Sequence, residues 1–191
     1  MSNAYFEEQL YEGVDYTAKG LARGQYEACS FVNCDFSNAD LSDISFTECG
    51  FRSCNLSMVK LQQSTLNDTK FSDCKMLGIN YEHCNEFLFT VDFENCLLNF
   101  STFYKRVLKK TSFRNCTLQE VDFTESDLSG SVFDKCDLTG ARFENTILNK
   151  VDFRTAYNYT INLQMNKVKK AQFSLRGLPG LLSAYDIVIT P

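Results

Sequence analysis

The chain has 191 residues, 44% of them apolar, and its 19 basic and 24 acidic residues give a net charge of −5. This length and apolar content predict one folded domain and exclude a disordered chain, while the acidic balance argues against direct binding of nucleic acid. The sequence contains no signal-peptide pattern and no apolar run of about 18 residues, so we expect a cytoplasmic protein that does not contact membranes. Nine cysteines, an odd number, indicate free thiols in a reducing compartment.

The first ten residues are predicted to form an N-terminal cap. The stretch NAYFEEQL, residues 3–10, is interpreted as a short helix. Tyr11, Tyr16 and Leu21 then place large apolar side chains five residues apart. We therefore expect a cap over residues 1–10 and a repeating structure from residue 11 onward.

From Tyr26 onward, a large apolar residue occupies every fifth position, which we call position i. The register runs to Tyr81 and resumes at Leu88, seven residues later, which predicts a two-residue insertion near residues 82–87. A period of five matches neither the strand period of 2 nor the helix period of 3.6, so it indicates an internal repeat.

Residue identity also recurs at every fourth repeat. Eight of the nine cysteines stand at i−2, and six of them are separated by 20, 20, 22, 20 and 20 residues. Phenylalanine fills a second row at the same interval. A chain that returns to one azimuth every 20 residues, with four five-residue sides, is a square solenoid whose turns stack about 4.8 Å apart. The two rows are Cys34, Cys54, Cys74, Cys96, Cys116 and Cys136, and Phe31, Phe51, Phe71, Phe93, Phe113, Phe133, Phe153 and Phe173.

This arrangement predicts an all-β solenoid of about seven to eight turns over residues 11–175. Positions i and i−2 face inward, and positions i−1, i+1 and i+2 face water. A parallel stack of this kind needs a cover at each end.

Residues 176–191 are predicted to form a C-terminal cap or dimerisation segment. We expect a turn from Gly177 to Gly180 and a strand over residues 185–190. The segment can cover its own end or pair with a twofold-related copy. Its candidate contact residues are Leu178, Leu181, Leu182, Tyr185, Ile187 and Ile189.

The repeats resemble the pentapeptide-repeat family, whose motif is A(D/N)LXX with Leu or Phe at i. Matching segments are Ala39-Asp40-Leu41-Ser42-Asp43 and Cys136-Asp137-Leu138-Thr139-Gly140, and the resemblance covers about residues 11–175. It implies a right-handed quadrilateral β-helix, often dimerised through its C-terminal segment. The best understood members are quinolone-resistance proteins, which are similar to a DNA duplex in size and charge and bind DNA gyrase or topoisomerase IV.

One predicted wall carries the acidic residues on which DNA mimicry would depend. Lys60, Lys105 and Arg142 interrupt them, so an ordinary solvated face is the alternative. A mimic needs a dense acidic stripe, because the partner binds charges spaced along a duplex. The acidic residues are Asp40, Asp43, Glu82, Asp122, Glu125 and Glu144.

The predicted insertion suggests a buried ion pair. If the two extra residues precede Glu86, then Glu86 and Arg106 both occupy inward i−2 positions one turn apart, and pairing would offset the cost of burying their charges. The alternative is that both side chains turn outward at a distorted corner. A basic cluster follows in the sequence and is either a weak anion site or a solvated surface: Lys105, Arg106, Lys109, Lys110 and Arg114.

No catalytic or metal-binding pattern is present in the sequence. The cysteines lack the CxxC spacing of zinc sites, and His83 is the single histidine. Its neighbour Cys84 is the one cysteine outside the i−2 rows, and we expect it to be an exposed loop thiol. We therefore predict no enzyme activity, cofactor or metal.

Two functions remain open at this stage. The leading hypothesis is a non-catalytic interaction protein, with a type II topoisomerase as the partner that the resemblance implies. The alternative is a structural scaffold that binds another protein through its flat walls. A dense acidic stripe would favour the first, and a contiguous exposed apolar patch would favour the second.

Overall fold

The computed structural model describes residues 4–185, 187–188 and 190 of the chain. These residues form the predicted right-handed quadrilateral β-helix, with about seven turns and a short helix at the C-terminal end. Within the described residues, no helix has the length and apolar character needed to cross a membrane.

The regular elements of the described residues are short and follow one another around the solenoid. The strands are β1 (Ala4–Glu7), β2 (Leu10–Glu12), β3 (Gly24–Glu27), β4 (Ser30–Val32), β5 (Ser45–Thr47), β6 (Gly50–Arg52), β7 (Thr65–Asn67), β8 (Thr69–Ser72), β9 (Val91–Glu94), β10 (Ser112–Arg114) and β11 (Val132–Asp134). A 3-10 helix (Leu175–Gly177) and helix α1 (Leu178–Leu182) follow.

The strands form two parallel sheets on adjacent sides of the solenoid, in the orders β1-β3-β5-β7 and β11-β10-β9-β8-β6-β4-β2. Paired residues are one turn apart, as in Phe31 with Phe51, and the pair of Phe71 with Phe93 spans the insertion. The other two sides are joined by single parallel bridges, such as Asp35 to Asn55. All four sides are therefore linked by backbone hydrogen bonds between successive turns.

We number the four sides as walls 1 to 4 in chain order, each named for the inward side chains of its repeats. All of these inward side chains are buried. Wall 1 carries Tyr26, Phe46, Leu66, Phe89, Leu108, Leu128 and Leu148, and wall 2 carries Phe31 to Phe153 of the phenylalanine row. Wall 3 carries Phe36, Leu56, Met76, Leu98, Leu118 and Leu138, and wall 4 carries Leu41, Leu61, Tyr81, Phe103, Phe123 and Phe143.

The corners explain the composition of the outward positions. Residues at i+2 adopt left-handed backbone conformations, such as Asn38 with φ of 60°, a region that Asn, Asp and Gly tolerate best. At i−1, the Asp40 Oδ1 atom accepts a hydrogen bond from the Ser42 backbone N–H at 3.0 Å. An Asp, Asn or Thr before the Leu or Phe can thus satisfy a backbone donor at the next corner.

The core is a set of vertical ladders of like side chains. The Phe113 ring stacks between the rings of Phe93 and Phe133, with centroid distances of 5.2 and 4.8 Å. All nine cysteines are free and buried, and the Cys54 thiol lies 3.4 Å from the carbonyl oxygen of Phe31. The small i−2 row therefore fills the space between the aromatic ladders.

The prediction of an N-terminal helix was wrong. Residues Ala4–Glu7 and Leu10–Glu12 are strands β1 and β2, which pair with β3 and β4. The Phe6 ring stacks on Tyr26 at 4.6 Å. The five-residue phase thus extends one repeat before Tyr11, and pairing with the next turn overrides the local helix preference of residues 3–10.

The insertion lies within wall 1, but the register resumes one residue later than predicted. Phe89 is buried at 7% exposure, whereas Leu88 is 53% exposed. Cys84 takes the i−2 position, with its N–H donating to the Tyr81 carbonyl at 3.1 Å. Residues 85–88 therefore form a bulge between Cys84 and Phe89.

The C-terminal strand prediction was also wrong for the residues described there. Residues 185, 187, 188 and 190 are not in a strand, and Ile189 lies outside the described residues. Pro179 stands in the first turn of α1, Leu181 is buried, and the Ile161 N–H donates to the Gly180 carbonyl at 3.0 Å. Helix α1 thus covers the last turn of the solenoid.

We expect Phe113→Ala to lower the free energy of unfolding by about 3 to 5 kcal/mol, because it removes a ring from a continuous stack and leaves a cavity. Phe100→Ala is the matched control, since Phe100 is 60% exposed, and its effect should stay within about 0.5 kcal/mol. Urea denaturation followed by circular dichroism measures both. Equal midpoints for the two variants would contradict the stacked core.

Candidate interaction surfaces

The six acidic residues predicted for one face do lie on wall 4, but several are already paired within the chain. Arg23 lies 2.8 Å from Asp43 and 3.9 Å from Asp40. Lys105 lies 3.7 Å from Glu125. These cations stand among the acidic groups, so wall 4 presents alternating charges rather than a dense acidic stripe.

Two of these acidic residues also have structural roles. Asp40 and Asp122 accept hydrogen bonds from the backbone N–H groups of Ser42 and Thr124, at 3.0 and 2.9 Å. Hydrogen bonding to Ser42 holds the pKa of Asp40 below its usual value. Aspartate is one of the two residues that the repeat motif has at i−1, so the presence of these two does not by itself indicate an acidic binding surface.

The predicted ion pair between Glu86 and Arg106 is not formed. Arg106 is buried at 3% exposure, but Glu86 is exposed on the bulge. The insertion follows Cys84, which takes the inward position predicted for Glu86. The guanidinium instead donates to the backbone carbonyls of Cys84 and Asn85, each at 3.0 Å, and to that of Glu82 at 3.3 Å.

Arg106 therefore closes the gap that the bulge opens in wall 1. Its guanidinium carbon lies 4.5 Å from the centroid of the Phe89 ring, an arrangement that stabilises a cation. Burial lowers the pKa of the Arg106 guanidinium, yet arginine stays protonated in proteins. The charge is stabilised by carbonyl dipoles in place of a carboxylate.

The expectation of an exposed thiol at Cys84 was wrong. Cys84 is 4% exposed, and burial raises its pKa to about 12. Its neighbour His83 is exposed. A neutral, buried thiol is a poor nucleophile, because the thiolate is the reactive form.

The basic cluster of the sequence is divided among different sides of the solenoid. Lys105 lies on wall 4 beside Glu125, Arg106 points inward, and Lys109 pairs with Asp127 on wall 1 at 3.2 Å. Arg114 lies on wall 2, where it lines the same groove as Lys70. These residues therefore do not form one anion site.

Within the part of the chain that the structure describes, no group of three or more His, Cys, Asp or Glu side chains is arranged to hold a metal ion. The cysteines are stacked, but each is surrounded by apolar side chains and backbone carbonyls. Polar groups on the outside belong mainly to corner hydrogen bonds, such as the one from Ser129 to Asp127.

Wall 3 carries an exposed apolar patch that was not predicted. Met58, Leu97 and Phe100 are 57%, 45% and 60% exposed, and Leu77 is half-buried between them. The Met58 N–H donates to the Leu77 carbonyl at 2.8 Å, which places these two residues on successive turns. We call Met58, Leu77, Leu97 and Phe100 the wall 3 patch.

Two residues of the wall 3 patch occupy unfavourable backbone conformations. Met58 and Phe100 stand at left-handed corners, with φ of 59° and 63°. Bulky apolar residues are disfavoured there, and such local strain is concentrated at functional sites. The signal was present in the sequence, but it appears only when i+2 residues are aligned in columns of 20 residues.

The C-terminal candidate residues are divided between the cap and the surface. Leu181 is buried and Leu182 is half-buried, whereas Leu178, Tyr185 and Ile187 are 41%, 45% and 57% exposed. Tyr185 lies near the last turn, where the Gln164 side-chain amide donates to its hydroxyl at 3.3 Å. The exposed members leave an apolar rim there, with Leu175 85% exposed beside it.

A family model described as a pentapeptide repeat region matches residues 21–103, 44–123 and 86–173. The chain belongs to the pentapeptide-repeat family. This agrees with the four five-residue walls and with the left-handed corners. A search of curated proteins finds no significant match to this chain.

Solved structures of pentapeptide-repeat proteins share the fold at low identity. HetL, a protein involved in heterocyst differentiation regulation in the cyanobacterium Nostoc sp. strain PCC 7120, is 16% identical with a TM-score of 0.58, over 92% of this chain and 88% of HetL. Full-length QnrB1, a plasmid-mediated fluoroquinolone resistance protein, is 20% identical with a TM-score of 0.46, over 96% of this chain and 100% of QnrB1. The likeness to HetL concerns the fold alone.

Replacing Arg106 should destabilise the protein through the loss of its carbonyl contacts. We expect Arg106→Ala to lower the free energy of unfolding by about 2 to 3 kcal/mol, the range for buried hydrogen bonds to a charged group. Lys105→Ala is the control, and its effect should stay below about 1 kcal/mol, since its ion pair is exposed. Urea denaturation measures both.

Substitution of Glu86 distinguishes the carbonyl contacts of Arg106 from an ion pair. Glu86→Gln should leave stability unchanged, because the Glu86 side chain is exposed on the bulge. A loss comparable with that of Arg106→Ala would show that the carboxylate pairs with the guanidinium.

The buried thiols predict a loss of stability at alkaline pH. Burial raises the pKa of Cys49 to about 12, whereas the thiol of an unfolded chain has a pKa of about 8.5. Above that pH the unfolded state binds fewer protons than the folded state, so the free energy of unfolding falls as pH rises toward 12. Urea denaturation at pH 7.5 and 10 measures the decline, which should be shallower for Cys49→Ala.

Proposed function

We propose that this pentapeptide-repeat protein is a non-catalytic interaction solenoid that binds a protein partner on the wall 3 patch. The proposal rests on one observation: large apolar side chains at outward positions of successive turns are exposed together on wall 3. Apolar patches of this kind on soluble proteins are typical of interaction sites.

The surroundings of the patch favour a protein partner. Lys75 and Glu120 are charged residues on turns next to it, and its other neighbours include Asn55, Asn99 and Gln119. An apolar centre with a polar rim resembles the anatomy of protein interfaces. Methionine adds adaptability, because its flexible thioether can fit partners of different shape.

DNA mimicry toward DNA gyrase or topoisomerase IV is the second candidate function. Its supporting observation is that Glu82 and Glu144 stand on wall 4 without an ion pair among the described residues. Pairing of Asp43 and Glu125 by Arg23 and Lys105 weakens the field that such a mimic needs. The apolar patch therefore supports the first candidate better.

Affinity capture with matched variants tests the first candidate. We expect the tagged protein to retain its partner and the variant Met58→Ser/Phe100→Ser to lose it, because both side chains are exposed and their loss leaves the core intact. Glu82→Gln/Glu144→Gln is the control and should retain the partner. Retention by the patch variant would refute wall 3 as the binding surface.

A gyrase assay separates the second candidate from the first. Supercoiling by DNA gyrase is measured over a titration of the protein, with and without a fluoroquinolone. DNA mimicry requires inhibition or protection from the drug at micromolar or lower concentration, and loss of the effect in Glu82→Gln/Glu144→Gln. Binding on wall 3 predicts no dependence on these carboxylates.

Two further parts of the proposal concern assembly and location. A homodimer through the exposed residues Leu178, Tyr185 and Ile187 stays a prediction, since helix α1 already covers the end of its own solenoid. A cytoplasmic location also stays a prediction, and the nine reduced, buried cysteines are compatible with it.

A further inference from the structure

The outward charges of wall 1 are separated by sign along the rod. At the corner row, position i+2, the first half carries Glu8, Glu48 and Asp68, and the second half carries Lys110, Lys150 and Lys170. Position i+1 shows the same separation, with Glu7 and Glu27 in the first half and Lys109 and Lys169 in the second. Wall 1 is therefore acidic at one end and basic at the other.

These side chains belong to continuous rows one turn apart. The corner N–H of Glu48 donates to the Asn67 carbonyl at 2.8 Å, and that of Lys110 donates to the Ser129 carbonyl at 3.0 Å. The complete corner row is Glu8, Ala28, Glu48, Asp68, Thr90, Lys110, Gly130, Lys150 and Lys170.

Most of these charges lack a partner of opposite sign in their own chain. Among the described residues, wall 1 forms the exposed ion pair of Asp68 with Lys70 at its edge and that of Lys109 with Asp127. Glu48, Lys110 and Lys150 form none. Like charges on neighbouring positions of a sheet are destabilising, and the mixed charges of wall 4 show that the fold does not require them.

We propose that wall 1 is a docking surface for a second copy of this chain, packed antiparallel so that the acidic half of each wall faces the basic half of the other. The contact goes beyond the proposed function, because it uses a different wall from the wall 3 patch. The partner is fixed by charge complementarity between the two halves of one surface.

The geometry of a twofold contact matches these rows. A twofold axis between the two walls and perpendicular to the rods reverses the order of the turns, yet keeps each row opposite itself. With the axis at Thr90, the corner row places Glu8 against Lys170 and Asp68 against Lys110. Position i+1 places Glu7 against Lys169, and neither row brings two like charges together.

The surface shape agrees with this register. The basic half contains an open groove of about 580 Å³, lined in part by Lys110, Gly130 and Lys150. The twofold places Glu48 opposite Gly130, where the missing side chain leaves room between the two lysines. Gly130 also has a φ of 74°, in the left-handed region that favours glycine at this corner.

The centre of wall 1 supplies an apolar contact at the axis. The bulge exposes Phe87 and Leu88 by 73% and 53%, and Val107 on the next turn is 54% exposed. The twofold brings each bulge close to its own copy. A parallel arrangement of the rods would instead face acid with acid, so the charge pattern selects the antiparallel one.

The association should be weak and sensitive to salt. One wall of a narrow rod offers less than the roughly 800 Å² per partner of a standard interface. We expect a dissociation constant on the order of 10 μM in about 20 mM salt, and at least a tenfold weakening in about 0.5 M salt. Sedimentation equilibrium of the full chain measures both values.

Charge reversal tests the register directly. Glu48→Lys/Asp68→Lys places basic residues on both sides of Thr90 in the corner row, and Lys110→Glu/Lys150→Glu places acidic residues on both sides of it. Each variant alone should lose at least tenfold in affinity for itself. An equimolar mixture should recover association as a heterodimer, because the twofold then places opposite charges together at both ends.

Wall 4 offers controls with the same change of net charge. Glu82→Lys/Glu144→Lys and Lys60→Glu/Arg142→Glu should associate as the unmodified chain does. Equal loss in these controls would attribute the effect to net charge and overturn the proposal.

Three other results would also overturn the proposal. They are an unmodified chain that stays monomeric at low salt, reversed variants that still self-associate as before, and a mixture that fails to recover. The second would point to a contact at the C-terminal end. A monomer that binds an anionic oligonucleotide through Lys110 and Lys150 would show that the basic half serves a polyanion instead.

Discussion

The structure depends on vertical alignment of the chain with itself. Each residue lies beside the residue one turn away, so the backbone hydrogen bonds between turns and the side-chain stacks inside impose the same spacing. Phe113 contacts Phe93 and Phe133 in this way. Because each turn contacts its two neighbours, the first requirement on a side chain is that it packs against the side chains directly above and below it.

The same alignment separates the requirements of the inside from those of the outside. The inward rows accept large apolar residues at i and small ones at i−2, and the corners accept residues that tolerate a left-handed backbone. Asp40 shows that an outward residue can also be structural, since its carboxylate accepts a corner N–H. The residues that inform on function are those that these rules do not require, such as Phe100 and Met58.

Much of the fold could be predicted because the inward rows repeat residue identity as well as polarity. The cysteine row and the phenylalanine row gave the 20-residue turn and the four walls. The insertion was placed wrongly because five-residue spacing back from Phe93 selects Leu88 as the inward residue, whereas Phe89 is the one that is buried. Packing decides between them, since Cys84 fills the small position and Arg106 reaches the carbonyls that the bulge frees.

The ends and the surfaces were less predictable for physical reasons. Phe6 continues the five-residue phase before Tyr11, but a short segment with helix-forming residues becomes a strand through pairing with the next turn. The wall 3 patch and the charge separation on wall 1 depend on residues 20 or 22 positions apart. Local patterns do not show such neighbours until the turn length and the insertion are both known.

The bulge and Arg106 depend on each other. Three carbonyls turned toward the interior require a donor, and a buried guanidinium requires acceptors, so neither half is stable without the other. A descendant that deleted two residues from the bulge would leave the arginine without its acceptors. One that lost the arginine would leave the carbonyls without a donor. Among relatives of this chain, the bulge at residues 85–88 and the inward arginine should be gained and lost together.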